Sequence, residues 1–274
     1  MKKFSFVSMA SAAVLALGFA LPAAAQMTYN YGTLGNCDFP TGATCNVTGS
    51  ATVANTVTIS GWSAASGANF VAGTLTDQGT SGMGFSYLGE TTVAPDHAID
   101  NNVQTELALF NFGTNKVVLT GLATGWSNND TDIAVLRWTG STGPDLSTTK
   151  LTDSVTGLVA KGWAIVASAD LDTNLAAGTT YGGFSTTTGL TVNALNSSSW
   201  WIVSSYFGGG TLGAADAMAD YFKLLSVSAT CVSNTSGGAC NAAPPGGVPE
   251  PTSLALAGLA LAGVGYSRRR KNAK

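Results

Sequence analysis

The sequence predicts an all-β domain, an antiparallel two-sheet sandwich of jelly-roll-like kind, held between two removable ends. Three observations carry this. Charged residues make up only 10% of the 274 residues while Gly, Ser, Thr, Asn and Ala dominate, a mixture that disfavours helices and favours strands and tight turns. Apolar residues recur with a period of two in short stretches. Glycine-rich breaks separate those stretches. Disorder is excluded by Trp62, Trp126, Trp138, Trp163, Trp200 and Trp201, which stand beside Val, Ile, Leu and Phe runs and supply enough apolar surface to offset ordering entropy. About 220 residues suffice for one core.

The elements follow in order. Val53, Asn55, Val57 and Ile59 alternate with small polar residues, a strand ending at Gly61. Phe70 to Thr76 is a second, and Met83, Phe85 and Tyr87 mark a third, stopped by Gly89. Gln104 to Phe112 is a fourth, with Leu107 and Leu109 on one face and Phe110 and Phe112 on the other. Gly113-Thr114-Asn115 reads as the turn of a hairpin to Lys116 to Gly121. Ile133 to Thr139, Gly162 to Ser168, Ser199 to Phe207 and Tyr221 to Thr230 are further strands, and Asp216 to Ala219 is one helical turn. Trp200 and Trp201, adjacent on one strand, must face opposite sides.

Both ends look like transport labels. Lys2 and Lys3 precede an apolar run, Val7 to Ala20, and Ala23, Ala24 and Ala25 follow. This is a secretory signal peptide over 1–25, with Ala23 and Ala25 read by signal peptidase and cleavage before Gln26. The sandwich occupies 26–233. Residues 234–247 are a Gly/Pro linker ending Pro244-Pro245-Gly246-Gly247. Residues 248–274 open with Val248, Pro249, Glu250 and Pro251, continue through the apolar Thr252 to Tyr266, and close on Arg268, Arg269, Arg270 and Lys271. The apolar segment is shorter than the about 20 residues of a relaxed spanning helix. A thinned bilayer and snorkelling arginines accommodate it as a transmembrane segment, and the basic cluster places that end inside.

The order of these parts resembles the PEP-CTERM sorting signal of Gram-negative bacteria. The resemblance implies two processing partners, signal peptidase and an exosortase, and a transient stay in the inner membrane. It implies cleavage near Pro249-Glu250-Pro251 and a product at the cell surface or outside the cell.

Net charge sharpens that picture. The whole chain carries −3, but seven of its twelve basic residues lie in the ends. Residues 26–247 keep five basic residues (Lys116, Arg137, Lys150, Lys161 and Lys223) against fourteen acidic ones, a net −9. Such a domain repels phosphate backbones, so nucleic acid is excluded as a partner. Four cysteines fit an oxidising compartment. Of three possible pairings, local closure is preferred, Cys37 with Cys45 and Cys231 with Cys240, because each pair brackets a Gly-containing loop. With no C-x-x-C and one histidine, thiol-bound metal is not supported.

The densest polar cluster runs from Glu90 to Glu106 and holds Asp96, His97, Asp100, Asn101 and Asn102. Three readings apply. In the first, His97 and Asp100 bond backbone in a tight loop, with Asn101 in a left-handed position. In the second, Glu90, Asp96, Asp100 and Asn101, with backbone carbonyls, bind Ca²⁺, which takes six to eight hard oxygens. In the third, His97 is a general base oriented by Asp96 or Asp100, although no G-x-S-x-G elbow accompanies it. Asn128 to Asp132 is a second acidic loop, read as a hairpin turn rather than an EF-hand start, because the glycine and the distal glutamate are missing.

Pro95 to Asn101, Leu107 to Phe112, Val117 to Thr120 and Gly125 to Leu136 together are similar to the exosortase-dependent surface proteins of the XDP1 family. The resemblance brings a location and no activity. The expected function is a noncatalytic structural or interaction protein of the surface, matrix or biofilm, with no obligatory cofactor. A module binding Ca²⁺ or extracellular polysaccharide is the alternative, and a secreted hydrolase a distant one.

Overall fold

The computed structural model describes residues 27–31, 34, 37, 42–49, 56–87, 90, 97–129, 131–151, 156–169, 180–182, 196–205, 219–235 and 240. The signal peptide, the sorting tail, most of the linker and, of the turn expected at Asp216 to Ala219, residues 216–218 lie outside these. Among the described residues there are fourteen strands: β1 (Met27–Tyr31), β2 (Cys45–Thr48), β3 (Thr56–Ala64), β4 (Val71–Ala72), β5 (Thr74–Asp77), β6 (Met83–Ser86), β7 (Ile99–Asp100), β8 (Thr105–Asn111), β9 (Asn115–Asn129), β10 (Ile133–Trp138), β11 (Trp163–Ala169), β12 (Thr180–Gly182), β13 (Trp200–Ser205) and β14 (Asp220–Asn234). One short helix, α1 (Thr156–Ala160), precedes β11.

The strands form two sheets packed face to face. Sheet A runs β12-β9-β14-β6-β5, with β1 and β7 also on β14; sheet B runs β11-β10-β13-β8-β3-β2, with β4 also on β3. All these pairings are antiparallel. The sandwich expected from composition and alternation is therefore the fold. The spine of sheet A is β14. One of its edges pairs with β9; the other is shared by β7, β6 and β1 in turn, opposite Phe222, Leu224 and Val227.

Successive strands repeatedly change sheet, and here the expected connections are corrected. β8 and β9 are not a hairpin: β8 pairs with β3 and β13, while β9 pairs with β14 and β12. The Gly113 turn carries the chain across the core instead, because Phe110 and Phe112 already bury themselves between the sheets. β9 and β10 likewise lie in different sheets, so the second acidic loop does not join a hairpin either. The Phe70 to Thr76 segment divides at Gly73 into β4 in sheet B and β5 in sheet A.

Gly61, read as a strand end, and Gly73, read inside a strand, are close-approach sites. β3 runs on through Gly61 to Ala64, and a Cβ at Gly61 would lie 2.1 Å from the Phe85 ring; one at Gly73 would lie 2.0 Å from it. The fully buried Phe85 thus fills the space two side chains would need. β9 likewise continues past Gly121, and Gly125 lets the backbone of Ser81 approach.

The middle of sheet B is buried on both faces. Its inner face meets sheet A through Val57, Ile59, Phe110, Val135, Trp201 and Val203, against Leu75, Phe85, Phe222, Leu224 and Val227. On the outer face lie Leu107, Leu109, Leu136 and Ile202, covered by Phe70, Leu146, Leu151 and Leu158. Leu146, Leu151 and Leu158 come from the long connection between β10 and β11, and Phe70 from the connection between β3 and β4. This cover is tied down by backbone bonds from Gly67 to Leu151, Phe70 to Thr149 and Leu151 to Ala68. Asp145 caps the 3₁₀ turn Leu146–Thr148, accepting from the Ser147 amide at 3.0 Å and the Ser147 hydroxyl at 2.6 Å. Those bonds, the Ser147 hydroxyl first, hold the exposed Asp145 carboxyl below its usual range against a smaller desolvation effect.

Overpacking a fixed backbone costs about 1–3 kcal/mol. Gly61→Ala and Gly73→Ala should each lose that much in urea unfolding, and Phe85→Leu in the same chain should recover part of it. Strictly additive losses would contradict the shared-ring account.

Candidate functional site

At one end of the sandwich β7, β8, β10 and β14 begin and β9 and β13 finish, and the predicted acidic cluster sits there. Ile99–Asp100 pairs with Tyr221–Phe222, which brings the loop onto β14. A Cβ at Gly84 would lie 1.8 Å from the His97 carbonyl, so the glycine is what lets the loop close on β6. His97 takes the left-handed conformation, with φ 65°. That corrects the expectation for Asn101, whose side chain is used elsewhere.

The carboxylates are joined to backbone. Asp100 Oδ1 accepts from the Asn102 amide at 3.0 Å, and the Asp100 amide donates to Glu106 Oε2 at 3.2 Å. Glu90 Oε2 accepts from the Tyr87 amide at 3.2 Å. The Ser204 hydroxyl donates to the Glu106 carbonyl and that of Ser205 to the Asp100 carbonyl, both at 2.7 Å. Asp220 is a second knot. It accepts from the Asp132 amide at 2.8 Å and the Asn101 side-chain amide at 2.5 Å, while its own amide donates to Asn101 Oδ1 at 2.9 Å. Asp220 thus holds the start of β14, the β7 loop and the approach to β10 together.

Carboxylate oxygens of Glu90, Asp100 and Glu106 lie within 4.8 Å of one another. Glu106 is 0% and Asp100 2% exposed. Two charges at that separation repel by on the order of 3 kcal/mol at an effective dielectric of about 20, so a shared proton or a cation relieves the group. Of the residues expected to bind metal, Glu90 and Asp100 converge, Asn101 turns to Asp220, and Asp96 lies outside the described residues. Glu106 takes the place in the cluster. Its signal was available: on β8 it shares the inward register with Ala108, Phe110 and Phe112, where a charge is out of pattern. Asp132, Asp220, Ser204 and Ser205 had no such local signal, because only the packing of distant strands brings them here.

The opposite end of the sandwich carries a groove of about 720 Å³. β10 ends there at Trp138, β13 begins there at Trp200, and β9 begins beside Lys116. The cross-strand register, Arg137 opposite Trp201 and Leu136 opposite Ile202, continues to set Trp138 beside Trp200 on the outer face of sheet B. Trp201 points inward as alternation requires, its indole N–H shared between the carbonyls of Val117 at 3.2 Å and Ser198 at 3.1 Å. The strip Ser197 to Ser199 is held to the β8–β9 arch by Phe112 to Ser199 and by reciprocal Val117–Ser198 backbone bonds.

Both disulfides are the local ones, Cys37–Cys45 and Cys231–Cys240. The second ties Cys240, beyond the end of β14, back to that strand. The processing residues Val248, Pro249, Glu250, Pro251, Arg268, Arg269 and Arg270 and the signal-cleavage residues Ala23, Ala25 and Gln26 lie outside the described residues. Within the described residues no helix is long and apolar enough to cross a membrane.

Residues 247–271 match the family model of the PEP-CTERM protein-sorting motif. The chain carries that motif. It marks an exosortase-targeted protein bound for the cell surface or the exterior. No curated protein and no solved structure matches the chain.

Lys223 is a further buried charge, 4.9 Å from the Trp126 ring centroid and 3.4 Å from Gln78 Oε1. Burial holds its ammonium below the usual lysine range. The unfolded chain therefore binds that proton more readily, and stability should rise with pH until about 10.4, the ordinary lysine value. Lys223→Met should remove this alkaline rise relative to the native chain in pH-dependent melting. Asp220→Ala should lower unfolding stability by about 2–3 kcal/mol, because buried donors lose a charged acceptor; a loss below about 0.5 kcal/mol in urea titration would show the knot to be dispensable.

Proposed function

We propose that the mature domain is a noncatalytic structural or interaction protein of the cell surface or extracellular matrix, released from both terminal labels after export. The sorting motif at 247–271 carries the reading. In it, signal peptidase removes 1–25, the apolar Thr252 to Tyr266 segment rests in the inner membrane, and an exosortase cuts near Pro249-Glu250-Pro251. Two features of the domain support a structural role. The middle of sheet B is buried on both faces, and Asp100, Glu106 and Asp220 serve backbone amides that hold strands together. The −9 charge of 26–247 suits a soluble exterior protein. The likeness to the XDP1 surface proteins points the same way.

Intact-mass analysis of the protein recovered from the surface tests this. A mature C-terminus near Pro249 to Pro251 is expected. A chain ending at Lys274 would replace the processing reading with a plain membrane anchor.

The convergence of Glu90, Asp100 and Glu106 favours a second reading, a Ca²⁺ site that stiffens this end. Binding to the native state alone stabilises by RT ln(1 + [L]/Kd), about 2.7 kcal/mol at a hundredfold excess over Kd. Melting should then rise in millimolar Ca²⁺ over chelator, and Glu106→Gln should abolish the difference. Equal melting in both buffers would remove the metal.

A further inference from the structure

We infer that the groove at the end of the sandwich opposite the acidic cluster binds an acidic polysaccharide, with Trp138 and Trp200 on the outer face of sheet B as a platform for sugar rings, and Arg137, which has the strand parity of Trp201, together with Lys116 as partners for its carboxylates. The inference rests on the reading of the domain as an interaction module, and gives that module a site and a ligand class.

Three observations converge on it. The first is shape. The groove's volume of about 720 Å³ falls within the roughly 300–1,000 Å³ of ligand clefts. The second is the aromatic platform. Both indoles are half-buried, and Trp138 is propped by Trp163 with ring centroids 5.2 Å apart. Glycine lies against each ring: a Cβ at Gly140 would meet Trp138 at 2.5 Å and one at Gly143 would meet Trp200 at 3.3 Å. A larger residue at either position would press on the indole and crowd the slot. Indole faces are electron-rich, and the C–H faces of pyranose rings stack on such surfaces.

The third observation is charge. Residues 26–247 hold five basic residues against fourteen acidic ones, yet Lys116 and Arg137 both line this one groove and none of its described lining residues is acidic. Such a local reversal of sign favours an anion, and a guanidinium pairs with a carboxylate through two parallel hydrogen bonds. A nucleic-acid strand would use similar aromatic and basic groups, but the −9 domain repels a continuous phosphate backbone.

The probes are oligogalacturonate, neutral dextran and a single-stranded oligonucleotide, each titrated into the exported protein by calorimetry and tryptophan fluorescence. Oligogalacturonate should bind, weaken as salt is raised, and change indole emission; dextran should bind at least tenfold more weakly. Arg137→Gln and Lys116→Gln should each weaken binding several-fold with melting unchanged, and Trp200→Ala should weaken it at least tenfold. Lys161→Gln, outside the groove, should change nothing. Trp138 is kept intact in the decisive set, because its packing on Trp163 makes a folding defect the expected result of truncation. Absent binding, equal binding of dextran, preference for the oligonucleotide, or indifference to Arg137→Gln and Trp200→Ala would each overturn the site. Absent binding with a processed C-terminus sinks this inference alone; an unprocessed C-terminus sinks the surface reading whatever the groove binds.

Discussion

β8 is the constraint from which the rest of the molecule follows. It lies between β3 and β13 in the middle of sheet B, with Phe110 in the inter-sheet core on one side and Leu107 and Leu109 under the outer cover on the other. A one-residue slip would exchange the two sets and draw the Glu106 carboxylate away from the Asp100 amide. The register of β8 therefore fixes the acidic end through Glu106. It fixes the groove end too, through its pairing with β13, which aims Trp201 inward and Trp200 outward.

Much of the strand content was legible. Period-two alternation located β6, β8, β10, β11 and β13 to within a residue or two, because their apolar side chains obey the pleat. Connections were not legible. Turn chemistry at Gly113 is the same whether the next strand pairs beside the last or crosses to the facing sheet, and only the burial of Phe112 between the sheets decides it. Gly61 and Gly121 were ambiguous for a related reason: a glycine at the limit of an alternating run reads as a strand end whether or not the strand continues through it. The cover over sheet B was hidden because Leu146, Leu151 and Leu158 follow neither a helix nor a strand period.

The candidate sites divide the same way. Asp100 and Glu90 stand near each other in sequence and were grouped from it, whereas Asp132 and Asp220 join them only through the meeting of strand ends. At the other end, Lys116, Arg137 and Trp200 come from three separate strands, so nothing local announces the groove. The sandwich is polarised along its strands as a result. Carboxylates collect where β8 and β14 begin, and cations with indoles collect where β8 ends and β14 approaches its last residues.

The placement of β14 has a mechanical consequence. The chain leaves toward the sorting motif from the end of the spine of sheet A, and Cys240 is bonded to Cys231 inside that strand. Tension on the tail enters the fold at Cys231, bypassing the residues between the two cysteines. It is then resisted along β14 by the ladders to β9 and β1 on its two sides. Pulling of this kind shears many hydrogen bonds at once, whereas an outermost strand would unzip one pair after another.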